Sequence, residues 1–473
     1  MEQWVKDWLE GERKNGVKCL EVKTQGKNYY VYHSTTYWDK ERKKPRKTSK
    51  YLGKLNRKRG LIKPGDRKTI QSSDVRSVSE YGNSMLLHEA ISDLKPLLIE
   101  GFPDYWDEIY ALVIVRVTGN VPLKRAKDEW EKLYNVESIE PGLNPKNLSE
   151  VLHNVGVDKI GQEIVFKGLL DQSDQLVYDL STMFSRSMNI RQAEKGYNKD
   201  HIQVPQINLA LLCSVDTGLP TYIRFLPGSV RDIKSLYNTI NELDIREKVL
   251  VLDRGFFSED VMKFLAGKKI NYVLPTRRNS RYYDNRIHLK AHISYHGRLI
   301  LCGRKKLDDC YLYLFEDQDL KLEECKTLYK KLDEENIDKK QLRKKTKKAG
   351  KILIISNQDL QEQEVYELYK KRERIEKLFD SYKTALDADK LYLQDDESVF
   401  GHVFISFLSL YVYCKLEGVL KNAGLGQRIS PHDLLLKYSK VYHLGFEGNS
   451  IITDVPKKVI DLDMALELNI FPR

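Results

Sequence analysis

The chain has 473 residues, with 79 lysines and arginines against 68 aspartates and glutamates, a formal net charge of +11 and a pI of about 9.0. That length allows roughly two to four domains with a sizeable core, and the cationic excess favours a polyanionic partner, most often nucleic acid. No apolar run of about 18 residues and no charged-then-apolar leader occurs, so a cytoplasmic protein is expected. The six cysteines (Cys19, Cys213, Cys302, Cys310, Cys325, Cys414) form no C-x-x-C pair, which argues against a zinc knuckle and a disulfide framework. The phosphate-loop pattern G-x-x-x-x-G-K-[ST] is missing, so ATP hydrolysis is not supported.

Residues 1–75 read as a small basic β-type module followed by a linker. "KCLEVKTQGKNYYVYHSTTYWDKERKKPRKTSKYLGKL" carries Tyr, Val and Thr runs on either side of a turn-like "WDKERKKPRK". The cationic turn, Lys40 to Lys50, holds Lys43, Lys44, Arg46 and Lys47 beside Tyr30, Tyr32, Tyr37, Trp38 and Tyr51. A solvated hairpin tip would have this composition, and so would a wing that contacts phosphates and releases their counterions. "RGLIKPGDRKTIQSSDVRSVSEYGNS" reads as the linker.

Residues 76–170 are helical in pattern, through "SMLLHEAISDLKPLLIEG", "DYWDEIYALVIVRVTG", "PLKRAKDEWEKLY" and "NPKNLSEVLHNVG". A DNA-reading domain and a packing domain both fit, and no recognition helix stands out. Residues 171–276 turn β-rich, with strand candidates "QLVYDLST", "QINLALLCSV", "PTYIRFLP", "EKVLVLD" and "INYVLPT". "DIKSLYNTINEL" and "SEDVMKFLAGK" separate the later strands as helices, so an α/β mixed sheet covered by helices is expected. A meander followed by right-handed crossovers would set the fourth strand beside the first.

Residues 277–350 read as a β-rich insertion ending in the basic run "KKQLRKKTKKAGK". The sheet domain resumes over 351–425, with "ILIISN", one helix from about 361 to 386, and the apolar helix "VFGHVFISFLSLYVYCKLEGVL". Residues 426–473 show no recognisable site.

"YKKRERIEKLFDSYK" carries the densest chemistry. At about 100° per residue, Tyr369, Arg372, Glu376 and Lys383 fall within an arc of about 60°. Leu368, Ile375, Leu378, Phe379, Tyr382 and Leu386 occupy the adjacent arc, so the polar set lies on the rim of a buried stripe. An i,i+4 ion pair between Arg372 and Glu376 would account for part of this on its own. Asp179 in "VYDLST" and Asp253 after "EKVLVL" follow apolar runs, where a carboxylate is costly unless paired or bound to a cation. Either aspartate alone would serve as a turn or helix cap. If the first and fourth strands are neighbours, the two converge, and Glu376 approaches from the covering helix. Three carboxylates without His or Cys suit Mg²⁺ or Mn²⁺ rather than Zn²⁺, and two such ions about 4 Å apart would flank a reacting phosphodiester.

These residues resemble a known family, the DDE transposases of prokaryotic insertion sequences, in the group with a ribonuclease-H-like catalytic domain and an insertion before the last acid. The motif Y-x2-R-x3-E-x6-K is met by Tyr369, Arg372, Glu376 and Lys383, and "YDLSTMFS" and "LDRGFFS" match the segments of the first two acids. "GYNKDH", "LPGSVRD" and the early tyrosine-rich stretch also look like family segments, so the resemblance runs from about residue 26 to 417. It implies cut-and-paste movement of a DNA segment, with a homodimer bound to terminal inverted repeats that hydrolyses strands and joins 3′ ends to target DNA. Asp179, Asp253 and Glu376 would be catalytic and hold two Mg²⁺ or Mn²⁺ ions. Tyr369, Arg372, Lys383 and Arg254 would contact double-stranded DNA, together with the hairpin cations Lys43, Lys44, Arg46 and Lys47.

Family members that form DNA hairpins stack a flipped base on a tryptophan in the insertion. All five tryptophans here (Trp4, Trp8, Trp38, Trp106, Trp130) lie outside it, which leaves Tyr282, Tyr283, Tyr295, Tyr311 and Tyr313 as aromatic alternatives. His288, His292 and His296 repeat every four residues in a strand-like context and read as surface or packing residues; His402 reads as a core histidine. Two rival functions share these features: a metal-dependent nuclease that does not rejoin DNA, and a DNA-binding regulator derived from a transposase.

Overall fold

The computed structural model describes residues 2–25, 28–39, 43–57, 60–63, 75–119, 121–184, 190–196, 205–230, 232–284, 286–334, 336–386, 388, 393 and 395–471. The chain divides into two compact units, Met1–Val75 and Arg76–Arg473.

The first unit holds helix α1 (Gln3–Lys14) and an antiparallel sheet of β1 (Leu20–Gln25), β2 (Asn28–Asp39), β3 (Lys44–Asn56) and β4 (Gly60–Ile62), in that order. Val5 of α1 packs with Leu20, Tyr29, Val31 and Leu55 in a small separate core, edged by Trp4 and Trp8. The cationic segment expected as a turn is largely strand. Asp39 pairs with Lys44, Trp38 with Pro45 and Tyr37 with Arg46, because the Thr- and Tyr-rich runs continue the ladder outward. Residues 40–42 at its tip lie outside the described residues.

The second unit opens with β5 (Ser77–Glu80), α2 (Tyr81–Ile91), α3 (Leu94–Gly101), α4 (Trp106–Thr118), α5 (Ala126–Trp130), α6 (Pro145–Val157) and α7 (Lys159–Leu170). Asn144 and Asp158 cap α6 and α7, and Pro145 starts α6 where its missing N–H costs nothing. The helix expected over "PLKRAKDEWEKLY" is shorter, a 3₁₀ turn at Leu123–Arg125 followed by α5. The stretch expected as a linker, 59–84, contains β4, β5 and the start of α2, and its residues 64–74 lie outside the described residues.

A nine-stranded sheet follows. Its strands are β6 (Gln175–Phe184), β7 (Gln206–Ser214), β8 (Pro220–Pro227), β9 (Val249–Leu252), β10 (Asn271–Pro275), β11 (Ala291–Tyr295), β12 (Arg298–Lys306), β13 (Tyr311–Asp317) and β14 (Lys351–Ser356). Helices α8 (Asp232–Glu242), α9 (Glu259–Gly267), α10 (Gln318–Asp333) and α11 (Lys339–Thr346) intervene. The spatial order is β11-β12-β13-β14-β10-β9-β6-β7-β8. β6, β7 and β8 form the meander, and β9 lies parallel beside β6, as the crossover argument requires. The segment expected as an insertion, residues 277–350, lies between β10 and β14 in sequence and adds β11, β12 and β13 to this same sheet. Leu312, Tyr313, Leu314 and Phe315 are buried in succession, so β13 needs a ladder partner on each side and takes β12 and β14.

The long helix expected over 361–386 is interrupted. It runs as α12 (Glu362–Lys371), breaks at Arg372, continues as α13 (Glu373–Asp380) and ends in a π-helical turn, Ser381–Ala385. The chain closes with α14 (Asp396–Asn422), α15 (Pro431–Tyr438), β15 (Tyr442–Phe446), β16 (Asn449–Ile452) and α16 (Lys457–Ala465). β15 pairs with both β16 and β5, tying the C-terminal segment to the start of this unit.

α14 is apolar nearly all round because it is surrounded, packing on α6, α4 and α2. By length and composition it could cross a membrane; here its residues Val403 to Cys414 are buried in the protein core. Gly156 of α6 and Gly401 of α14 let the two backbones touch, since a Cβ on either would overlap the other helix's carbonyl oxygens. Gly401→Ala is therefore expected to cost about 1–3 kcal/mol or more and lower the melting temperature followed by circular dichroism. Gly418→Ala, on the same helix with nothing within 4 Å of an added Cβ, should leave it unchanged or raised.

Candidate active site

Asp179 and Asp253 sit side by side through strand register. The β6–β9 ladder pairs Tyr178 with Leu252, so the next residue on each strand is one of the two aspartates. Parallel neighbours are about 4.8 Å apart and point their side chains to a common face. β6 runs on to Phe184, so Asp179 lies within the strand rather than near its end. Asp253 does what its plain reading expects, capping the short 3₁₀ turn Arg254–Phe256 through Gly255 N–H.

Glu376 enters from α13, whose apolar face is fixed against the sheet. Ile375, Leu378, Phe379 and Tyr382 are buried, and α13 packs on β6 and β7. Arg374 anchors the same helix, donating to the Gly218 carbonyl (3.1 Å) and to Glu417 (3.0 Å). The polar rim then gathers as the helical arc predicts. Arg372 Nη1 lies 2.9 Å from Glu376 Oε1 and 3.6 Å from Asp253 Oδ1, so one guanidinium nitrogen links two of the three acids. Burial works against its charge, but Asp253, Tyr369 and Glu376 outweigh that and hold its pKa above the ordinary value. Tyr369 lies against the same guanidinium, 5.8 Å from ring centre to Cζ. Lys383 Nζ donates to the Thr182 carbonyl on β6 (2.9 Å), and Arg254 Nε is buried without a hydrogen-bond partner among the described residues.

The donor set is all oxygen, which fits a hard divalent cation. Its ligand atoms do not close to within 4.8 Å of one another; among the described residues only His153, Asp395 and Glu397 do. The guanidinium between Asp253 and Glu376 accounts for the spacing, since it supplies there the positive charge that two facing carboxylates require. The His153 group escaped the sequence reading because its members lie 242 residues apart and share no motif. Asp395 is also committed to capping α14 through Ser398 N–H.

A family model described as the transposase DDE domain matches residues 179–412. Those residues form a transposase DDE domain. The match begins at Asp179 and includes Asp253 and the whole Tyr369–Lys383 helix. A solved structure, described as a cryo-EM structure of a piggyBac transposase synaptic complex with hairpin DNA, is similar over 83% of this chain and 86% of that one, with 13% identity and a TM-score of 0.40. A comparison with curated proteins gives no match.

The remaining expected residues separate by exposure. In the N-terminal unit Lys43, Lys44, Arg46 and Lys47 are all exposed, with Arg46 3.8 Å from Asp39 and Lys47 2.7 Å from Glu21. Of the five tyrosines of the DDE domain considered for stacking, Tyr313 is fully buried, its hydroxyl donating to the Gln358 and Leu360 carbonyls. Tyr295 packs edge-on against Tyr366, Tyr311 lies under Lys306, Tyr283 under Lys348 and Tyr282 beside Arg281. His288, His292 and His296 are exposed.

His402 is a core residue. Arg116 donates to its Nδ1 (3.3 Å), which leaves the ring proton on Nε2 facing the Ala388 carbonyl (3.4 Å). Burial, reinforced by Arg116 and opposed by Ala388, pushes its pKa down to about 3. Unfolded His402 gains a proton below about 6.5 while the folded form stays neutral. The stability it supports is therefore full above that pH and falls as pH drops toward 3, by up to about 1.4 kcal/mol per pH unit. Melting curves of His402→Gln should consequently lose less stability than the parent between about pH 6.5 and pH 4.

Proposed function

We propose that the chain is a DNA transposase that cuts at the ends of its own mobile element and joins them to target DNA. The observation that carries this reading is the gathering of Asp253 and Glu376 on one guanidinium, with Asp179 on the adjoining strand, inside a transposase DDE domain. The strand order β8-β7-β6-β9-β10, an antiparallel meander followed by two parallel strands, supports a ribonuclease-H-like core.

In this reading Asp179, Asp253 and Glu376 are the catalytic ligands of Mg²⁺ or Mn²⁺, most simply two ions. Bound divalent cations would supply charge neutralisation at the scissile phosphate and an activated water or 3′-hydroxyl. Arg372 has a dual part. It neutralises Asp253 and Glu376 now, and a cation on those oxygens would free the guanidinium for a DNA phosphate. Tyr369 orients that guanidinium, and Lys383, held on the backbone of β6, adds positive charge along the path of the strand. Arg254, with an unpartnered buried Nε, is suited to the phosphate beside Asp253. The exposed hairpin cations Lys43, Lys44, Arg46 and Lys47 would hold duplex DNA from the N-terminal unit. The partner is double-stranded DNA, both terminal inverted repeats and target. A homodimer provides one site per element end, and a cytoplasmic, nucleoid-associated location follows.

Asp253→Asn should reduce cleavage of DNA carrying the element ends by at least about a thousandfold, the scale lost when charge-stabilising groups at a reacting phosphate are removed. Duplex binding measured by gel shift should survive. Undiminished cleavage by that variant would remove Asp253 from the chemistry. Cleavage by the parent without strand-transfer products would favour a nuclease instead.

A further inference from the structure

The basic run before β14 forms α11, which concentrates exposed cations on one short helix. Other cations of the second unit are matched, such as Arg278 with Glu324, Arg304 with Asp359 and Lys330 with Glu334. On α11 and its C-cap, Lys339, Lys340, Arg343, Lys344 and Lys347 are all exposed, and among the described residues none makes an ion pair. The helix is tied down by Leu342, its one buried residue. At about 100° per residue these five cations span an arc of roughly 140° centred about 130° from Leu342, with exposed Lys345 outside it. Holding so many like charges on one short helix face is unfavourable unless something anionic lies against it.

Topology puts α11 at the sheet edge that carries Asp253. β9 and β10 are parallel, so the C-terminal ends of both lie at one edge of the sheet, and β14, antiparallel to β10, begins at that edge. Arg277, just past β10, donates to the Gly255 carbonyl in the turn that Asp253 caps (3.1 Å). α11 reaches Lys351 through two tight turns, Ala349 N–H to the Thr346 carbonyl and Lys351 N–H to the Lys348 carbonyl. β14 is two ladder steps from β9, about 10 Å, so α11 stands at the same edge as Asp253.

We propose that the exposed face of α11 is a second DNA surface that grips the phosphate backbone of duplex flanking the cleavage point, without reading sequence. This rests on the transposase reading above and adds a contact beyond the Tyr-Arg-Glu-Lys helix and the N-terminal hairpin. Five cations spread over one helix face suit a run of phosphates, which ask for charge and carry no sequence information.

The test uses the full chain in EDTA, so that cleavage plays no part, and a fluorescein-labelled duplex of arbitrary sequence. Binding is followed by anisotropy across a salt series for the parent and for a variant carrying Lys339→Gln, Lys340→Gln, Arg343→Gln and Lys344→Gln. Each lost phosphate contact should flatten the slope of log K against log salt by about 0.9, or roughly 3 to 4 for the set, with at least tenfold weaker binding at about 0.15 M salt. Circular dichroism should show the variant folded, because the replaced residues are exposed and Gln sustains a helix. An unchanged slope in a folded variant, with a parent that binds duplex, overturns the α11 surface alone. A parent that binds no duplex at any salt overturns both this surface and the transposase reading.

Discussion

One guanidinium organises the candidate site. Arg372 sits at the break between α12 and α13, with its side chain 16% exposed, and bonds two carboxylates that belong to elements far apart in sequence. Asp253 is delivered by a strand end and Glu376 by the covering helix. Nothing else among the described residues joins them directly. Their partial exposure keeps the attraction modest, so the contact acts less as a source of stability than as a device for placement. It gathers two acidic side chains around one positive group.

That device works only because both carriers are rigid. β9 is laddered on both sides, by β6 and β10, so Asp253 cannot drift without disturbing two strands. α13 is held by its buried stripe and by Arg374, which links the β7–β8 turn to α14. α14 in turn lies in the middle of the second unit, where Gly156 and Gly401 allow backbone contact with α6. A chain of close packing therefore runs from the helices of 76–170 to the acids. The helical region acts as the support of the nine-stranded sheet, and the hydrophobic core of this unit is continuous through both.

The sequence made much of this legible, for physical reasons that can be named. The 3.6-residue period placed Tyr369, Arg372, Glu376 and Lys383 on one rim, and the buried state of Ile375, Leu378, Phe379 and Tyr382 agrees with it. The handedness of crossovers placed the strand of Asp253 beside that of Asp179. Other features were hidden. Helix breaks at Arg372 and over Ser381–Ala385 have no Pro or Gly to announce them, because tertiary contacts rather than local propensity set them. The pairing of β11 to β13 with the rest of the sheet was not legible, because periodicity reports which face of a strand is buried, not which strand it pairs with. α1 carried a readable signal, Val5 and Leu9 one turn apart on one face, both buried, that strand-like neighbours overshadowed.

The separation of paired from unpaired cations follows from the same electrostatics. A protein with a net charge of +11 must leave some cations without acidic partners, and where they lie is a matter of fold. Two arginines near the acids are drawn in and matched: Arg372 to Asp253 and Glu376, and Arg374 to Glu417. The excess is left on outward faces, α11 among them, where burial imposes no demand for a counter-charge. Such a distribution suits a long polyanion laid across the surface. Its backbone would meet unmatched charge along its length and meet matched, positioned charge only at the point where Asp253 and Glu376 converge.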